Sequence, residues 1–419
     1  MILNNKGKLR FNKYTVGYLL ACAYIFTSYV AQDVIISSSV NSLCLYAFLM
    51  FSAYLFILEF RAKGSLSIFS LWFLIFIVAS VVIMVYTPDI QRVWGGFYSM
   101  IVSFFVFFFM QIYTKDDEGF NGICWCYAIS AFALVLLLLA TGNLSGDEGD
   151  RLGQKLTGNA NIFAMMMMVA VMFTMWLLLF CANNWVKKTA LILMVIADLY
   201  ALILSAGRKF FIIPFLFLYV LLINKKDKRG RKHVVLYTAV FVSLMVVISL
   251  LIINVEVLYN SLGVRMEGLL ATLLGEEGDS SSEIREVIRN LAFEKWLERP
   301  FWGYGFDSFK FLSQKEIGHF YYSHCNYTEL LYCGGVLYFL VYYWIFYKIV
   351  RVCFKNKSIP QKYKAFALAA TISLFVFDYG AVTYNSTPTL VMLMMAFRAA
   401  TFNETDNMEV RKAWGKLAR

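Results

Sequence analysis

The sequence predicts an all-α polytopic membrane protein of about twelve transmembrane helices, with a large helical loop on the outer side. Three observations carry that reading. Of 419 residues, 60% are hydrophobic and 16% charged, whereas a soluble domain is roughly half apolar and a quarter charged. The apolar residues come in blocks of roughly 15 to 23, about enough to cross a hydrocarbon core of about 30 Å. The basic residues crowd into alternate gaps between those blocks.

The apolar runs fall at 14–31, 40–60, 66–86, 94–113, 121–141, 160–182, 189–206, 210–224, 233–253, 328–350, 364–385 and 388–402. With the N-terminus inside, the cytoplasmic gaps carry Arg61, Lys63, Lys115, Lys187, Lys188, the basic cluster at 225–232, and Arg351 with Lys355, Lys357, Lys362 and Lys364. The short outer gaps "QDVIISSS", "TPDIQRV" and "YNSTP" hold only Arg92. Basic residues mark the cytoplasmic side, so both termini are expected there. The chain then divides into nine spans (1–253), an extracytoplasmic loop (254–327), three spans (328–402) and a cytoplasmic tail (403–419).

The formal charge of +11 is used up in these gaps. No basic stripe interleaves with stacking aromatics, so nucleic acid is a poor partner. Cys22, Cys44, Cys124, Cys126, Cys181, Cys333 and Cys353 lie in or beside apolar runs and read as small buried hydrophobes; only Cys325 falls in a polar segment.

Within the long loop, "SSSEIREVIRNLAFEKWLERP" has helix punctuation. Ser280 and Glu283 fit a capping box and Pro300 closes the end. Ile284, Val287, Ile288 and Leu291 form one apolar stripe, and Arg285 and Arg289 lie together along its edge. This helix is expected to lie on the bundle with both guanidiniums toward the headgroup layer.

The outer cations are the first sign of chemistry. Arg151, Arg208 with Lys209, Arg265, Arg285 and Arg289 all stand against the usual charge bias. Each could snorkel to lipid phosphate. Together they point to an anionic ligand, because a guanidinium grips phosphate oxygens bidentately. His324 beside Asn326 has two readings: a helix-entry histidine with Asn326 as cap, or a general base able to take a proton from an attacking hydroxyl. His319 competes for the second role. No residues have metal-site spacing, and the acidic stretch "GEEGDSSSE" reads as a solvated loop. No nucleotide fingerprint is present, so a lipid-linked donor fits the arginines better than a nucleotide sugar. Asp198, Asp378 and Arg398 fall inside apolar runs, and a structural Asp378–Arg398 pair is one expectation.

Four stretches together resemble the bacterial O-antigen polymerase and O-antigen ligase family: "RLGQKLTGNANIFA" (151–164), "SAGRKF" (205–210), "REVIRNLAFEKWLERPFWGYGFDSF" (285–309) and "HCNYTELLYCGGVLY" (324–338). The order and the long outer loop match as well. Cys325 departs from the pattern, standing where the family usually has Asn, Ser or Gln, so Asn326 would have to orient the imidazole.

The resemblance implies a bundle of the glycosyltransferase C type in the bacterial cytoplasmic membrane, with its active site on the outer face. It implies inverting, metal-independent glycosyl transfer from undecaprenyl diphosphate, without a cofactor. His324 would be the base, with Arg285, Arg208, Arg265, Arg151 and Asn326 binding substrate. Polymerase is preferred over ligase; a flippase or other transporter is the rival from another class. A lipid-phosphate mannosyltransferase is thinly supported by Asp33 alone in the first outer gap. Expected partners are the undecaprenyl diphosphate-linked oligosaccharide and membrane lipids, with a chain-length regulator and a flippase as further candidates.

Overall fold

The computed structural model describes residues 13–31, 36–63, 66–143, 151–224, 231–264, 266–268 and 280–402. Every element among them is helical. In chain order these are α1 (Lys13–Val30), α2 (Ser38–Lys63), α3 (Ile68–Met84), α4 (Ile90–Tyr113), α5 (Asp117–Ala140), the single turn α6 (Gln154–Thr157), α7 (Ala160–Phe180), α8 (Trp185–Leu204), α9 (Arg208–Asn224) and α10 (Arg231–Asn254). There follow α11 (Glu256–Leu258), which runs into a π-turn, then α12 (Ser280–Glu298), α13 (Phe309–Ile317), α14 (Asn326–Lys355), α15 (Gln361–Asp378) and α16 (Thr387–Ala400).

Each of the twelve apolar runs coincides with one of these helices. By length and apolar character, six can cross a bilayer: Ser38–Leu58, Ile90–Tyr113, Asp117–Ala140, Ala160–Phe180, Val234–Asn254 and Asn326–Lys355; α3 and α16 are shorter apolar helices. Several helices start where the sequence supplies a cap. Asp89, Asp116, Asn159 and Asn184 each accept a backbone amide of the first turn, which satisfies donors that have no intrahelical partner.

Aromatic side chains fill the spaces between helices. Phe120, Trp176, Tyr363 and Phe366 pack edge to face between α5, α7 and α15. Phe76, Tyr338, Tyr342 and Tyr384 form a second cluster nearer the other end. Such pairs add to the area they bury because their quadrupoles favour tilted contacts.

The long segment between α10 and α14 is largely helical where described, and it is locked to the bundle through a break in α14. Gly335 has φ 70° and ψ −171°, so the helix is interrupted there. The backbone groups this frees are met by the "PFWGYG" stretch. Tyr304 N donates to Tyr332 O (2.9 Å), Gly305 N to Cys333 O (2.8 Å), and Val336 N to Pro300 O (2.8 Å). Tyr304 stacks flat on Tyr332 at 4.7 Å. A side chain at Gly335 would strike the Phe301 carbonyl, so only glycine suits both the conformation and the space. Gly335 is thus the point at which the outer segment and α14 interlock.

Two expectations change. In the α12 stripe, Ile288 is buried and Leu291 half-buried, joined by Ala292, while Ile284 and Val287 are exposed; the buried face is rotated C-terminally. The Asp378–Arg398 pair is not formed. Asp378 accepts from Tyr343 Oη (2.7 Å) and Thr383 Oγ1 (2.5 Å), while Arg398 reaches the Thr114 carbonyl. α15 and α16 run antiparallel, so position 378 at the end of one and 398 near the end of the other lie about 16 Å apart along the axis.

Candidate active site: a cationic cavity at His324

His324 sits in the short connection between α13 and α14, in the left-handed region at φ 56°. A tight local network holds it there. Ser323 N donates to the Glu329 carboxylate (2.8 Å), and Ser323 Oγ donates to Cys325 O (2.8 Å). With its neighbours tied inward, the imidazole faces a cavity of about 410 Å³, lined among others by Tyr322, Lys209, Asn159, Asn161 and Asn385. That volume is in the range of small-molecule sites.

The N-terminal turns of α7, α9 and α16 meet at this cavity, supplying Asn159 and Asn161, Lys209, and Ser386 with Thr387, while His324 comes from the connection before α14. Helix N-termini present unpaired amides and the positive end of the macrodipole, which favours an anion.

The basic side chains act the same way, with the Lys209 ammonium pulled down to about 7 by burial and then by Arg285 and Arg151. Lys209 donates to the Gly380 carbonyl and lies over the rings of Phe210 and Phe377. Arg285 and Arg289, on α12, are half-buried, and Arg289 rests 5.0 Å from the centre of the Tyr379 ring. Burial, then Arg285, Lys209 and Arg289 in that order, push the His324 imidazole down to about 3. It is therefore neutral at physiological pH and presents a lone pair.

The segment carrying Arg151 docks on the turn before α9. Arg151 Nε donates to Ser205 O (2.8 Å), its Nη2 to Asn161 Oδ1 (3.2 Å), and Leu152 N to Leu204 O (3.2 Å). Arg151 thus acts on the cavity through Asn161. The same turn places Ala206 at φ 56°, a conformation that costs on the order of 1 kcal/mol or more for a residue with a side chain.

Not every candidate reaches the cavity. Arg208 is half-buried beside Lys209, and it is Lys209 that forms the wall. Arg265 lies outside the described residues. Asn326 is buried and occupied: its amide nitrogen donates to Tyr343 Oη (3.0 Å), and its oxygen accepts from Thr383 N (3.0 Å) and Tyr384 N (3.2 Å). It pins the start of α14 to the turn before α16. His319 is exposed, and the Tyr321 ring stands 5.3 Å from it and 6.1 Å from His324. Cys325 is buried. Arg285 and Arg289 both act on the imidazole rather than only facing a headgroup layer.

Residues 193–343 match a family model described as O-antigen ligase. That match supports the resemblance of the chain to the O-antigen polymerase and ligase family. No curated protein matches the chain. The matched stretch contains Lys209, Arg285, Arg289, His324 and the Gly335 break, and it leaves out Arg151. Of the cavity residues, sequence reasoning weighed Lys209 only together with Arg208, and it did not choose Tyr322, Asn159, Asn161 or Asn385. The adjacent pair in "SAGRK" signalled that a cation was there; which of the two turns inward depends on the αL turn at Ala206 and on the Gly380 carbonyl, far along the chain.

Proposed function

We propose that this chain is a polysaccharide polymerase of the O-antigen family, transferring a growing glycan from undecaprenyl diphosphate to a lipid-linked repeat unit. The observation that carries this is the cavity itself, lined by a neutral imidazole, Lys209 and the N-terminal turns of three helices, with Arg285 and Arg289 close enough to act on that imidazole. In the reaction, a hydroxyl of the acceptor sugar attacks the anomeric carbon and its proton passes to His324. A new C–O bond forms on the face opposite the leaving group. The anomeric C–O bond to phosphate breaks and its electron pair stays on the diphosphate. The cations stabilise that charge, which is where electrostatic preorganisation contributes most.

Burial first, and then the field of the same cations, makes His324 a weak base. A bound diphosphate offsets that field and raises the proton affinity of the imidazole when it is needed. All twelve apolar helices would cross the cytoplasmic membrane, with both termini inside and the cavity on the outer face, where the charge bias puts it.

The ligase reading, in which the glycan moves to a lipid core, is favoured by the description of the matching family model. One experiment tests both. Purified protein in nanodiscs is given lipid-linked repeat units with and without a lipid core acceptor. A ladder on the carrier lipid supports the polymerase; product only on the core assigns the ligase; neither product removes the glycosyl-transfer reading.

A further inference from the structure

Apart from the cavity, the fold carries a second opening, on the face that α14 and α15 share. It is an apolar groove of about 610 Å³, walled by Tyr343, Trp344 and Tyr347 on α14 and by Thr371, Ile372 and Phe375 on α15. Trp344, Tyr347, Ile372 and Phe375 are all exposed, so the groove opens on the outside of the bundle.

The path of α14 ties this groove to His324. Asn326 Nδ2 donates to Tyr343 Oη at 3.0 Å across 17 positions, whereas an unbroken helix of that length would hold them about 25 Å apart. The break at Gly335 therefore folds residues 326–334 back along the rest of the helix. Tyr327 is thereby brought to the head of the groove. Its ring packs on Tyr343 at 5.2 Å and on Phe375 at 5.3 Å, and its hydroxyl donates to the Phe375 carbonyl. His324 stands three positions before it.

The end nearest His324 is also basic. One turn beyond Phe375 on α15 comes Tyr379, and Arg289 lies 5.0 Å from the centre of its exposed ring. Arg285, one turn earlier on α12, acts with Arg289 on the imidazole. At the far end, Lys348 and Arg351 lie over Trp344 and Tyr347, which makes an ordinary anionic phospholipid the rival occupant.

We propose that this groove holds the apolar tail of a polyprenyl diphosphate, with the diphosphate at Arg289 and Arg285 beside His324. Lipid tails are as apolar as the groove, so burial alone prefers no chain over another. Selection has to come from packing against rigid rings and from the head group, whose oxygens guanidiniums grip in pairs. The placement rests on the glycosyl-transfer reading and adds which face of the bundle one lipid-linked substrate occupies.

The test uses the full chain in phosphatidylcholine nanodiscs and a polyprenyl diphosphate carrying a photoreactive diazirine in its tail. Cross-linked peptides, mapped by mass spectrometry, should fall within 340–350 and 371–375, with unlabelled undecaprenyl diphosphate competing and phosphatidylglycerol competing poorly. Ile372→Trp, at an exposed position, fills the groove and should cut labelling about tenfold. Arg289→Gln should cut it by about as much, through loss of a charged partner. Val78→Trp, on the exposed face of α3, should leave it unchanged. Labelling nowhere in the wild type removes the polyprenyl diphosphate donor, and the glycosyl-transfer reading with it. Labelling that maps elsewhere, or survives Ile372→Trp, overturns the groove alone. Equal competition by phosphatidylglycerol, or equal labelling by a polyprenol lacking the diphosphate, also overturns it, since an ordinary lipid then occupies the groove.

Discussion

The amide of Val336 donates to the carbonyl of Pro300 at 2.8 Å, joining the outer segment to the centre of α14. This bond exists because Gly335 breaks the helix, and with its two neighbours it turns a long connection into a fixed wall of the site. Gly335→Ala should therefore abolish properly folded protein, through both the positive φ and the collision with the Phe301 carbonyl. Pro300→Ala keeps the accepting carbonyl and should be mild. Size-exclusion profiles and melting in detergent measure the contrast.

The cavity is lined by Lys209 and not by its neighbour Arg208. Lys209→Met, which keeps the stem and removes the charge, should lower kcat about 10²–10³-fold, as expected for loss of a donor to transition-state charge. Arg208→Lys should cost far less. Equal losses would mean that both residues hold the diphosphate.

His324→Ala should reduce transfer by about 10²–10⁴-fold, the contribution of a positioned base. His324→Gln should be nearly as poor, and exposed His319→Ala should keep most activity. Adding chelator to the wild-type assay should leave turnover unchanged; a loss would bring a metal into the reaction.

The chain has three histidines, so isotope-labelled imidazoles can be followed individually in detergent. The folded value of His324 is about 3, depressed from the usual 6.5. Its imidazole should stay neutral at pH 5, where a solvated one is protonated. The unfolded chain then binds more protons than the folded one between about pH 6.5 and 3, so this group's contribution to stability is lost as pH falls through that window. Adding inorganic diphosphate should raise the His324 midpoint, and Arg285→Gln should raise it without any ligand.

Reporters fused after Gly318 should give the outer-face signal, and those after Phe402 the cytoplasmic signal. The reverse pattern would move the cavity to the wrong compartment for a lipid-linked glycan translocated across the membrane.

The sequence by itself determined the helices and several of the charges. Hydrophobic blocks of sufficient length have no alternative to helix in a bilayer, where each backbone group must find its partner within the segment. Local capping residues such as Asp116 and Asn159 then set the starts. Arg285 and His324 were legible because an outer cation and a histidine at a helix entry are both unusual in their own neighbourhoods. What only the tertiary structure decided was direction and partnership. Asn326 looks free beside His324 in the sequence, but its amide is consumed by Tyr343, Thr383 and Tyr384. Lys209 faces the cavity because Gly380 lies within its reach. Helix formation is a near-neighbour property that local sequence encodes, whereas which side chain fills or opens a cavity depends on the packing of distant helices, which no short stretch contains.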